Sequence, residues 1–98
     1  MKEADIQRLI QNYITKEYPG SFSFKVHGNG FQKAGIPDLV CCINGRFIGI
    51  EVKQPGKEAE LTKLQSLRIE QIRKAGGVGF MATSVEDVER ELRRCLKK

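Results

Sequence analysis

The stretch from Pro37 to Lys53 constrains this chain's fold more than any other. Pro37-Asp-Leu-Val-Cys-Cys-Ile43 and Arg46-Phe-Ile-Gly-Ile-Glu-Val-Lys53 are apolar, β-forming runs with only Asn44-Gly45 between them. Asn-Gly in that setting is the strongest short-range hairpin signal, because both residues tolerate the positive φ of a type I′ turn. Such a turn pairs Ile43 with Arg46, and counting back along both arms sets Asp38 directly opposite Glu51. Opposed side chains have Cβ atoms about 4.5–5.5 Å apart. Apolar residues occupy both faces of the hairpin, which predicts central strands covered on both sides.

The flanking segments supply the cover. Ile6, Leu9, Ile10, Tyr13 and Ile14 recur at helical spacing over residues 3–18, and Pro19-Gly20 ends that helix. Phe22, Phe24 and Val26 alternate with Ser23, Lys25 and His27, the pattern of a strand with one drier face. Residues 28–35 form a glycine-rich loop, and a polar loop around Pro55-Gly56 follows the hairpin. Thr62 and Gln65 have capping-box spacing for a helix that runs to about Ala75 and stops at Gly76-Gly77. Residues 78–83 read as a short strand. Ser84 is the N-cap of a last helix with Val85, Val88, Leu92 and Leu96 on one face. Helix, three strands, helix, strand, helix predicts one α/β domain over residues 1–98, a mixed sheet with helices packed on it.

Two carboxylates held face to face repel, and burial raises the cost. A divalent cation is the natural compensation: Mg²⁺ takes one or two carboxylates, with water and substrate phosphate completing its shell. Lys53 follows Glu51 by two residues and so projects from the same face, where an ammonium can offset charge growing on a phosphoryl group. Glu51-Val52-Lys53 alone is uninformative, since composition predicts about one acid-x-Lys triplet by chance. Its facing register with Pro37-Asp38 is what carries the signal. Gly49, on that same face, is expected to leave space beside the carboxylates.

Other candidates keep two readings. Glu3 falls on the apolar stripe of the first helix, either turned towards the metal site or favouring the helix N-terminus through the macrodipole. Gln65 either caps its helix through Thr62 or reaches into the site. His27 reads as a strand-end residue. Lys25, Asn29, Lys33 and Lys57 border the hairpin's open end, placed for DNA phosphate contacts or simply solvated.

Composition limits the partners. Seventeen Lys plus Arg against twelve Asp plus Glu give a formal charge of +5, which favours a polyanion. No apolar run is long enough to span a bilayer. Met1-Lys2-Glu3 leads into a charged amphipathic stretch rather than a signal peptide, so a cytoplasmic, non-secreted protein is expected. Adjacent Cys41 and Cys42 point to opposite faces of a strand, and no Cys/His spacing suggests zinc; the three cysteines read as small buried apolar thiols in a reducing cytosol.

Glu3-x-x-Ile6-Gln7, Gly35-Ile-Pro-Asp38, Ile50-Glu-Val-Lys53, Gln65 and Gly76-Gly77 together resemble the motifs of the virus-type replication-repair nuclease (VRR-NUC) domain of the PD-(D/E)XK nuclease superfamily, over essentially the whole chain. The resemblance implies a restriction-endonuclease-like αβββαβ core with a C-terminal helix. It implies that Asp38, Glu51 and the Val52 backbone carbonyl bind Mg²⁺ or Mn²⁺, that Lys53 is the catalytic lysine, and that Glu3 and Gln65 belong to the site as metal-binding and catalytic residues. Stand-alone viral and bacterial members of the family are homodimers that cut Holliday junctions, in a bacterial or phage-infected cell; larger relatives cut flaps. The resemblance thus implies a branched-DNA endonuclease of the first kind. A monomeric flap or nick nuclease and a non-catalytic DNA-binding module are the alternatives.

Overall fold

In the computed structural model, which describes residues 1–27 and 34–96, the elements run α1 (Glu3–Glu17), β1 (Phe22–Lys25), β2 (Leu39–Ile43), β3 (Arg46–Val52), α2 (Lys63–Lys74), β4 (Val78–Ala82) and α3 (Val85–Cys95). A single 3-10 turn at Glu58–Glu60, unforeseen in the sequence, folds the loop after β3. The four strands lie in the order β1-β2-β3-β4, antiparallel from β1 to β3 and parallel from β3 to β4. The hairpin turn has the positive φ values its sequence demands, 52° at Asn44 and 79° at Gly45, and the register pairs Ile43 with Arg46 and Leu39 with Ile50.

Strand alternation sorts the side chains between the two faces of the sheet. Leu39, Cys41 and Ile43 of β2 and Ile48, Ile50 and Val52 of β3 point to one face, where α1 contributes Ile6, Ile10 and Ile14 and α3 contributes Val88 and Leu92. Each of these is buried, and together they form the hydrophobic core. Leu9, counted above with the apolar spacing, is 36% exposed instead, and of the three cysteines expected to be buried only Cys41 is, since strand alternation turns Cys42 to the opposite, exposed face. The last helix begins as expected, with Ser84 Oγ accepting the Asp87 N–H at 3.1 Å. Asp87 also accepts from the Thr83 N–H at 2.9 Å, closing the turn from β4 into α3.

On the opposite face α2 packs against β3 and β4, and it does so closely. A Cβ on Gly49 would lie 2.7 Å from Ile72 Cδ1 and 3.0 Å from Pro37 Cγ; one on Gly79 would lie 3.0 Å from the Ile69 carbonyl oxygen. Gly49 therefore does not leave open space beside the carboxylates, as expected above. It admits the helix.

The cover is also narrower than the hairpin's composition suggests. The 12 residues of α2 cross only the β3–β4 half, so among the described residues no helix covers the outer half of this face. Phe22 is 68% exposed, Phe24 47% and Phe47 48%. The expectation that Phe22 and Phe24 mark the drier face of β1 is thus overturned, because β1 is an edge strand and, among the described residues, no helix reaches that side of it. Among the described residues, no helix is long and apolar enough to cross a membrane.

Candidate active site

Asp38 immediately precedes β2, and its Oδ2 accepts the Val52 N–H at 2.8 Å. This bond draws the carboxylate across the strand pair to the end of β3. Glu51, one residue before Val52, is only 2% exposed. Its Oε2 accepts from Gln65 Nε2 at 3.2 Å and lies 3.9 Å from Lys53 Nζ. Burial pushes the Glu51 carboxyl up to about 8; the neighbouring Asp38 carboxylate pushes the same way, Lys53 opposes them, and the charge of Glu3 adds to the rise. The two acids and the lysine thus share one face at the open end of the hairpin.

The donor set suits a hard cation. Glu51 Oε1 is buried without a hydrogen-bond partner, and a buried carboxylate oxygen in that condition requires either a proton or a positive ion. The backbone adds a third oxygen. Continuing the hairpin register places Val52 opposite Pro37, which has no N–H to give. In an extended strand a residue's N–H and C=O point to the same side. The Val52 N–H already points to Asp38, so its carbonyl lies on the side of the two acids with no ladder donor from Pro37. Asp38, Glu51 and this carbonyl fit Mg²⁺ or Mn²⁺.

Gln65 resolves its two readings by taking both. Its Oε1 accepts the Thr62 N–H at 2.9 Å and its backbone N–H donates to Thr62 Oγ1 at 3.1 Å, while its Nε2 holds Glu51. One amide can serve twice because its carbonyl and amino ends are distinct acceptor and donor. Glu3 is half-buried at the first turn of α1, and Gln54 Nε2 donates to the Met1 carbonyl at 3.2 Å, tying that end of the helix to the loop after β3. Among the described residues, no three His, Cys, Asp or Glu side chains gather closely enough to hold a metal. The charge of Glu3 adds to the rise of the Glu51 carboxyl.

Gln7, quoted above only within a motif, is 6% exposed with a buried Oε1 that has no partner. Its sequence signal was its position three residues before Ile10 and seven before Ile14, on the apolar stripe. Lys25 is exposed at the end of β1, Lys57 is exposed before the 3-10 turn, and His27 is exposed just past β1. Asn29 and Lys33 lie outside the described residues.

The αβββαβ order with a helix appended, built on a mixed sheet with one acid just before β2 and the other on β3, has the restriction-endonuclease-like architecture expected from the sequence. Within it, the chain superimposes on a solved structure named VRR_NUC domain protein with a TM-score of 0.75 and 23% sequence identity, covering 99% of this chain and 89% of that one. The likeness is one of fold. No family model matches the sequence, and no curated protein does.

Proposed function

We propose that this chain is a divalent-cation-dependent endonuclease that hydrolyses phosphodiester bonds in branched DNA, with four-way junctions as its principal substrate. The observation that carries the reading is the buried Glu51 carboxylate, set against Asp38 with one oxygen unpartnered and Lys53 alongside. A fold keeps two apposed acids at such a cost only where a cation or a reaction uses them. The fold likeness to a VRR_NUC domain protein and the +5 charge support the same reading.

Asp38, Glu51 and the Val52 carbonyl would hold Mg²⁺ or Mn²⁺. When bound, that ion supplies an activated water and polarises the phosphoryl oxygens. Gln65 fixes the Glu51 carboxylate through one oxygen, which leaves the other free to bind. Lys53 Nζ approaches the same carboxylate and would donate to the negative charge that grows on the phosphoryl group. Glu3 contributes negative potential from the start of α1. Lys25 and Lys57 would contact flanking phosphates. A homodimer would present two such sites to the two strands of a symmetric junction.

The test is a cleavage panel of four-way junction, flap, nicked and linear DNA with Mg²⁺ or Mn²⁺, read beside mass in solution. Junction cutting by a dimer is expected, and Lys53→Ala should lower the rate by roughly 10²- to 10³-fold in protein that still folds. Folded protein that takes up Mn²⁺ yet cuts no DNA would overturn the reading. Flap cutting by a monomer would replace the junction with a flap as substrate.

A further inference from the structure

The open half of the sheet face lies next to the carboxylates. Register places Phe22 beside Cys42 and Cys42 beside Phe47 in one cross-strand row, with Phe24, Val40 and Gly49 in the next. Side chains paired across a sheet share a face, so these rows belong to the face that carries Asp38, Glu51 and Lys53. Asp38 is two residues from Val40, an advance of about 7 Å along the strand. The Phe22 and Phe24 rings stand 5.9 Å apart at 54°. Beside them, between this sheet and α2, lies a groove of about 320 Å³ lined by Pro37, Val40, Phe47, Ile72, Arg68 and Gln71, among others.

We propose that this half-face is a stacking platform for unpaired bases of the DNA strand that brings its scissile phosphate to Asp38 and Glu51; the inference rests on the nuclease reading above. Exposed aromatic rings on a sheet are the means by which proteins hold splayed-out bases, since every base has a π-face to stack. Charge favours the same occupant. On the β1, β2 and β3 strands and their ends, this face has no acid besides Asp38 and Glu51. Lys53 stands at one end of the patch, and Arg68 lines the groove, anchored through Nε to the Ala34 carbonyl at 3.0 Å. The Phe24–Val40 row adjoins the row of Asp38 and Glu51, so a strand seated on these rings lies within about 7 Å of the carboxylates along the sheet. The substrate class that follows is DNA with unpaired nucleotides at or beside the branch point.

The platform is tested with the full chain in EDTA, where nothing is cut, by fluorescence anisotropy of a labelled oligothymidylate and of an abasic strand of equal length. The wild type should prefer the strand with bases. Phe24→Ala should weaken that binding by roughly 5- to 150-fold and leave the abasic strand unaffected, with Phe24→Tyr retaining most of the preference. Phe22→Ala should act in the same direction. Both rings are exposed enough to be removed without unfolding the protein, which a thermal melt verifies. Equal binding of the two strands by wild type, or equal losses on both in the Phe24→Ala variant, would overturn the platform. So would sedimentation showing that these substitutions split a dimer while the preference for bases persists, since the face would then join two copies of the chain. A cleavage assay in Mg²⁺ separates the two claims. Base-dependent binding without any cutting removes the nuclease reading alone, and cutting without base preference removes the platform alone.

Discussion

Strand β3 serves two faces that obey different rules. Towards α1 and α3 it sends Ile48, Ile50 and Val52, each with no measurable exposure. Towards α2 it sends Phe47, Gly49 and Glu51, with Lys53 just beyond its end: an exposed ring, a residue without a side chain, a buried acid and a cation. The first face is optimised for packing and the second tolerates groups that are costly to hold. Strand alternation is what makes the combination possible, because a two-residue period lets one segment anchor the core and display chemistry without either interrupting the other. The Gln65 amide shows how the second face is kept in order, with a helix cap and an active-site contact drawn from one side chain.

The contrast can be broken from either side. The largest effect is expected on the packed face, where Leu39→Ala should cost about 3–5 kcal/mol of stability through lost burial and a residual cavity. Urea denaturation measures it, and a loss below about 1 kcal/mol would mean that this face repacks freely. On the other face the sign reverses. The Glu51 carboxyl is raised in the folded protein, so its folded state holds a proton more tightly than the unfolded chain. In EDTA the stability linked to this group is fully present below its ordinary range near 4.5 and is lost as pH rises to about 8. Glu51→Gln should abolish that decline, so thermal melts of the variant should exceed wild type by a margin that widens from mildly acidic pH to pH 8. A margin independent of pH would mean that the acid is not held at a cost. The smallest effect falls on the link between the helix cap and the site: Thr62→Ala should cost about 1 kcal/mol, read by melting, with a lower cleavage rate if Gln65 loosens its hold on Glu51.

Much of this was legible in the sequence, for identifiable reasons. Asn44-Gly45 is a local turn signal, and a two-residue turn transmits its register to both arms, so Asp38 and Glu51 could be set together by counting. Ser84 and Thr62 announced their helices by capping chemistry, which is also local. Features that depend on distant packing were not legible. Nothing near Gly49 indicates that Ile72 occupies the space beside it, and nothing within residues 22–26 indicates that α2 stops short of β1. Gln65 could not be assigned one role because it has two. The position of Glu3 relative to Glu51 depends on how a helix docks, a matter its own periodicity does not decide.

Pro37 has a further consequence. What it brings to the sheet is chiefly a missing hydrogen, and it does so while itself almost wholly enclosed. A survey of side chains would pass it over as filler. Yet any of the other residue types would restore an amide opposite Val52, giving that carbonyl a neighbour to bind and drawing the two strands together where they now part. The mouth of the hairpin is thus kept open by the main chain's own chemistry, and a conservative-looking exchange at this position would reshape the acids' surroundings without touching either acid.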